Sequence, residues 1–239
     1  MSDRKETKLT AHEMMKLHVE ALFTHDESMR LRTINEPWPG EALAPRFFLG
    51  RTTDGTALCR FRYDVSEMLV KQLEGLCANE PSLRDFQQKP QHFEAYMNLL
   101  QGEQFTMGPC FLVPAEAASS SQVVSITREN GMEFLRGSFE WLIEEIDYAQ
   151  PCVAFICENR AVSICRSVRI TSRAHEAGLE TLDEFRGRGY AAAVVAGWAM
   201  EVRKMGGIPL YSTFWGNLAS QSVARKLALS FYGANFTVY

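Results

Sequence analysis

Apolar residues recur along this chain with either a helical or a strand period, and each period assigns a local structure. Met14, Leu17, Val19, Leu22 and Phe23 form a helical stripe, and Thr10 with Glu13 makes a capping box ahead of it, so a helix is expected to end near Thr24. Met68, Leu69, Val70, Leu73 and Leu76 predict a second helix, opened by a capping box of Asp64 and Glu67. Phe93, Tyr96, Leu99 and Leu100 predict a third, after the punctuation of Pro81 and Ser82. Positions 46–63 read as two strands joined around Asp54 and Gly55, a favoured hairpin pair.

Farther along, CFLVP and QVVSI are short strand candidates, and the Gly, Pro, Ala and Ser of 105–122 mark an expected boundary. It divides the chain into an N-terminal helical module carrying a hairpin, 1–105, and a second domain, 106–239. Met132, Leu135, Phe139, Leu142, Ile143 and Ile146 predict one helix, capped by Thr127 and Asn130. PCVAFIC and AVSICRSVRI flank the turn ENR as a hairpin, and Ala174 to Asp183 supply the next strand. A helix, YAAAVVAGWAMEVRK, ends at Gly206 and Gly207; then come the strand IPLYSTFW, the helix NLASQSVARKLAL and the closing strand SFYGANFTVY. This order predicts an α/β fold with a mixed sheet and flanking helices rather than a uniform βαβ repeat.

Composition narrows the function. The 239 residues are 46% hydrophobic, enough for a sizeable core, and 25 basic against 29 acidic residues leave a net charge of -4 with no basic stripe. A nucleic-acid partner is therefore not expected; a small molecule or a protein is. The six cysteines show neither metal spacing nor a disulfide framework and read as reduced thiols of a cytoplasmic protein. The N-terminus is charged from its first residues, and no apolar run reaches the roughly 18 residues of a membrane helix, so neither export nor insertion is expected. His12 and His18 lack the four-residue separation that puts two zinc ligands on one helix face; no metal is expected, and His18 reads as a surface or satisfied core histidine. His25 beside Asp26 reads as a polar pair at a helix end. Trp198 reads as core.

The chemistry concentrates in FRGRGYA, 185–191. A strand, a turn bearing Gly187 and Gly189, and a helix start form an anion cradle, because the first helical turn has unpartnered N–H groups and the positive end of the macrodipole. Arg186 and Arg188 add charge-assisted contacts. Gly187, Gly189 and Ala192 also satisfy the dinucleotide pattern GxGxxA, but that fold needs a parallel βαβ unit and an acidic residue ending the next strand, and IPLYSTFW ends without one.

The same residues read as RxxGxA, with Arg186, Gly189 and Ala191 in the fixed places, which resembles the coenzyme A pyrophosphate motif of the GCN5-related N-acetyltransferases (GNATs). WGNLASQSVARKLAL, 215–229, resembles that family's later motif. The resemblance covers roughly 108–239. It implies a GNAT-like, mostly antiparallel sheet flanked by helices, with acetyl-CoA as acyl donor and no metal. The backbone around Arg186, Gly187, Arg188, Gly189, Tyr190 and Ala191 would hold the pyrophosphate, Asn217 and Ser220 would face the pantetheine, and the backbone of Leu179 to Thr181 would pair with the pantetheine amides. Asn217 could equally cap its helix.

A lysine-like acceptor amine, of pKa about 10.4, must shed a proton at a cost of roughly 4–5 kcal/mol at neutral pH, so a general base is useful. Glu176 and Glu180 share one strand face by their even separation. The resemblance makes Glu176 the first choice of base; Glu180 would orient the acceptor, and either glutamate reads equally as a side chain that simply faces solvent. The tyrosine that often protonates the departing thiolate in the family is replaced by Ala224, leaving Ser220, Tyr190 and Tyr232 as substitutes. An acyl-cysteine route through Cys157 or Cys165 is weighed against, because strand cysteines are commonly inert. The expected reaction is transfer of an acetyl group to a primary amine of a small molecule or protein, by a monomer or homodimer; the alternative is a non-catalytic acyl-CoA sensor.

Overall fold

The structure, a computed structural model, describes residues 9–117 and 120–239. The charged stretch 1–8, and Ala118 and Ser119 of the boundary stretch, lie outside the described residues. The capping box forms as expected: Thr10 accepts from the Glu13 amide, the Glu13 side chain accepts from the Thr10 amide, and helix α1 runs Ala11–Leu22. It passes directly into strand β1 (Phe23–His25), so His25 belongs to a strand; β2 is Leu31–Ile34. The hairpin of β3 (Phe47–Thr52) and β4 (Ala57–Phe61) turns at Asp54 and Gly55, where Gly55 takes φ 86°. Helix α2 (Glu67–Cys77) starts differently from expectation: Ser66 is its cap, accepting from the Leu69 amide. Asp64 instead pairs with Arg62 at 2.8 Å, which removes it from the cap.

Helix α3 (Phe93–Leu100) and strands β5 (Phe105–Leu112) and β6 (Val123–Ser125) follow. The single helix expected over 131–146 is two short ones, α4 (Gly131–Phe134) and α5 (Leu142–Glu145). Gly137, at φ 75°, breaks the run, and its amide is taken by the Glu140 carboxylate at 2.9 Å. Asn130 stands at the N-cap of α4 as expected, but its side chain makes no cap bond there; its Oδ1 accepts instead from the Thr127 amide. Strands β7 (Cys152–Cys157) and β8 (Arg160–Ile170) form the expected hairpin around Glu158 and Asn159, both at positive φ, and lead to β9 (Ala174–Thr181). Helix α6 (Tyr190–Lys204), β10 (Ile208–Ser212), α7 (Leu218–Lys226) and β11 (Ser230–Val238) complete the chain.

Nine strands form one mixed, mostly antiparallel sheet in the order β4-β3-β11-β5-β10-β9-β8-β7-β6, while β1 and β2 pair apart. Strand alternation sends neighbouring residues to opposite faces, and different helices cover each face. Phe48, Cys110, Ala174, Leu210 and Tyr232 pack against α1, and Ala154, Ala161 and Ile164 against the α4–α5 segment. On the other face, Phe47, Leu49 and Phe236 meet α2 and α3, while Phe111, Cys165 and Tyr211 meet α6, whose Trp198 is fully buried. The hairpin of the first hundred residues thus joins the same sheet through β3 and β11.

Candidate functional site

Strands β9 and β10 are parallel and paired only from Ala174/Ile208 to Glu176/Leu210. Beyond that register they part, and a cleft of about 850 Å³ opens between them. Ala177, Leu179, Glu180 and Thr181 line it from β9, and Tyr211, Ser212 and Thr213 from β10 and its exit. Leu179 remains paired with Cys165 of β8, so β9 keeps its pairing on that side while the parted side borders the cleft. A strand edge of this kind can hydrogen-bond an extended ligand that carries amides.

One end of the cleft is the cradle. A short turn, Asp183–Phe185, precedes Arg186, and Gly187 and Gly189 take φ 78° and 89°, conformations that favour glycine. Gly189 stands at the N-cap of α6 with no side-chain cap, so the first-turn amides remain for an anion. Lys226, in the last turn of α7, reaches over the cradle: a Cβ added at Gly189 would lie 2.7 Å from its Nζ. Arg186 lines the cleft and pairs with Asp183 at 2.8 Å, both exposed. Arg188 turns outward, stacked over Phe185 at 5.1 Å and donating to the Glu184 carbonyl.

Across the cleft, Asn217 caps α7 by accepting from the Ser220 amide at 3.0 Å. The Ser220 hydroxyl is hydrogen-bonded to the Tyr211 hydroxyl. Burial pushes the Tyr211 phenol up to about 12, against the lowering effect of Ser220. Tyr190 lies flat against Phe155, ring centroids 4.0 Å apart, and forms a wall. Tyr232 is buried in the α1-side core with its hydroxyl unpartnered.

Glu176 is 2% exposed and stands behind the cleft wall, while Glu180 is exposed on it. A buried carboxylate requires partners. One oxygen of Glu176 pairs with His18 Nδ1 and the other accepts from Ser212 Oγ at 3.1 Å. His18 is fully buried in α1, its Nε2 lying 2.9 Å from the Asn235 amide and 3.5 Å from Cys110 Sγ. Burial opposes charge on this imidazole, but the Cys110 and Glu176 groups outweigh that and raise its pKa to about 10.

Residues 152–239 match the family model of the GNAT acetyltransferases. Over these residues, a little more than a third of the chain, it is similar to the GNAT superfamily. No curated protein matches the chain. Among solved structures, it is similar to a GNAT-family protein from Novosphingobium aromaticivorans at 15% identity and TM-score 0.46, over 57% of this chain and 65% of that one. A GNAT-family acetyltransferase from Colwellia psychrerythraea gives 10% identity and TM-score 0.46, over 80% and 81% of the two chains. A GCN5-related N-acetyltransferase-like protein from Streptococcus suis gives 15% identity and TM-score 0.45, over 82% and 85%.

The two stretches that resemble GNAT motifs lie across one cleft from each other. Of the residues singled out in the sequence, Leu179, Glu180, Thr181, Arg186, Gly187, Gly189, Tyr190, Ala191, Asn217 and Ser220 line it; Glu176 and Arg188 do not. Tyr211, Ser212 and His18 carry no motif signal, and Lys226 lies within 215–229 but at none of the positions singled out there. Tyr211 and Ser212 could have been found as the last residues of the strand leading to Asn217. Ala224 is buried at 3% exposure in the core, away from the cleft wall. No group of three or more potential metal ligands occurs among the described residues, and no helix among them is long and apolar enough to cross a membrane.

Proposed function

We propose that this protein transfers an acetyl group from acetyl-CoA to a primary amine by direct attack of the amine on the thioester. The observation that carries this reading is the parting of β9 from β10 beside the cradle, which provides a strand edge for the pantetheine and a glycine-formed helix start with Lys226 and Arg186 for the pyrophosphate. The thioester then lies deeper in the cleft, beyond Leu179, toward Ser212 and Asn235. The amine attacks the carbonyl carbon, a C–N bond forms, the C–S bond breaks, and coenzyme A leaves. Ser220 and the Tyr211 hydroxyl bonded to it line the cleft and can return a proton to the departing sulfur. The acceptor enters past Leu22, Phe23 and Ile34, apolar residues of the N-terminal segment that line the other end of the cleft.

The test is isothermal titration of acetyl-CoA into the wild type and Gly189→Trp, together with thiol release over a panel of amines. Trp at Gly189 meets both the positive φ and Lys226, so acetyl-CoA binding is expected to fall by at least about tenfold. Unchanged affinity overturns the assigned site, and binding without thiol release from any amine identifies a sensor instead.

A further inference from the structure

We propose that the Ser212 hydroxyl carries the acceptor's proton out of the cleft to Glu176, and that His18 is the positioning residue that holds Glu176 ready to take it; this rests on the acyl-transfer reading above. Glu176 is excluded from the cleft wall, whereas Ser212 lies on it and donates to one carboxylate oxygen at 3.1 Å. The other oxygen is fixed by His18, which is itself gripped through Nε2 by Asn235 and Cys110. One end of the carboxylate is therefore anchored and the other is joined to the cleft through a hydroxyl, an amphoteric group that can accept one proton as it gives up another. His18 reaches this place from α1, so the N-terminal segment supplies part of the reaction machinery of the GNAT portion.

The step balances as follows. The ammonium of the acceptor gives a proton to Ser212 Oγ while that hydroxyl passes its own to Glu176. The neutral amine attacks the thioester, the C–N bond forms and the C–S bond breaks, and the second nitrogen proton goes to the coenzyme A thiolate. Glu176 later returns its proton to solvent along the same hydroxyl. The groups facing the His18–Glu176 pair are Cys110 on β5, Ser212 on β10, Tyr232 and Asn235 on β11, and Arg169 on β8, which attracts the Glu176 charge.

The experiment compares wild type, Ser212→Ala, Ser212→Thr and His18→Gln as full chains, with thiol release measured against pH for an amine that the wild type accepts. Ser212→Ala is expected to lower kcat about a hundredfold, within the usual range of general acid–base effects, with the acetyl-CoA Kd and the amine KM held within about twofold. Ser212→Thr restores most of kcat, and His18→Gln shifts the acid limb of the kcat profile. A wild-type kcat in Ser212→Ala, or a loss that Thr does not restore and that KM shares, overturns the inference and leaves the acyl-transfer reading standing. A wild type that transfers to no amine overturns that reading and the inference with it.

Discussion

His18 and Glu176 are 158 positions apart in the chain, and their contact is what makes either residue interpretable. A strand glutamate reads as a solvated side chain or a base, and a helix histidine as core or surface, because residue type carries no information about a partner that distant. The pair has a pH signature. The His18 pKa is raised above its ordinary value of about 6.5, so its contribution to stability is full below that value and is lost as pH rises through about 10. The Tm difference between wild type and His18→Asn is therefore expected to shrink between about pH 6.5 and 10 in thermal melts. A difference that stays constant across that range would show that the imidazolium does not stabilise the fold. The cradle glycines belong to the opposite case. Their local spacing already states their conformational requirement, and Gly187 and Gly189 do take positive φ.

Elements were legible where a periodic stripe coincided with a cap, as at Thr10, and misplaced where the cap depended on chain geometry. Asp64 and Ser66 are both good cap residues, and only the pairing of Asp64 with Arg62 decides between them. The 131–146 stripe is periodic, yet Gly137 lets the chain turn back so that two short helices cover β8 in place of one long one. What joins α3 to the sheet was not legible at all. Glu80, 7% exposed, accepts from the amides of Gln91 and His92 at 2.9 and 3.2 Å and from the Tyr96 hydroxyl at 3.0 Å, and it pairs with buried Arg51 of β3 at 3.8 Å. Removing one member of such a buried set strands the other charge, at a cost of about 3–5 kcal/mol. Glu80→Ala is therefore expected to lower Tm on the order of 10 °C, with Glu80→Gln, which keeps an acceptor, falling between. A change of a degree or less in calorimetry would mean that α3 is held by its apolar face alone.

At the scale of the molecule, chain order and sheet order diverge. The hairpin of β3 and β4 and the GNAT motifs were both readable locally, but nothing local states that the last strand inserts between β3 and β5. Strand β11 pairs along most of its length with β3 on one side and β5 on the other, and α1 packs against β3, β9 and β11 at once. Cutting at 105 would expose the β3-facing edge of β11, strip the helices from two core clusters and remove His18 from Glu176. An unpaired inner edge and an uncovered apolar face destabilise what remains and favour aggregation. The two portions should accordingly melt as one unit. Differential scanning calorimetry of the full chain is expected to show a single endotherm, with residues 106–239 expressed alone lacking a cooperative transition. Two endotherms, one of them reproduced by 106–239 alone, would instead establish that 106–239 folds independently and that α1 and the hairpin dock onto it.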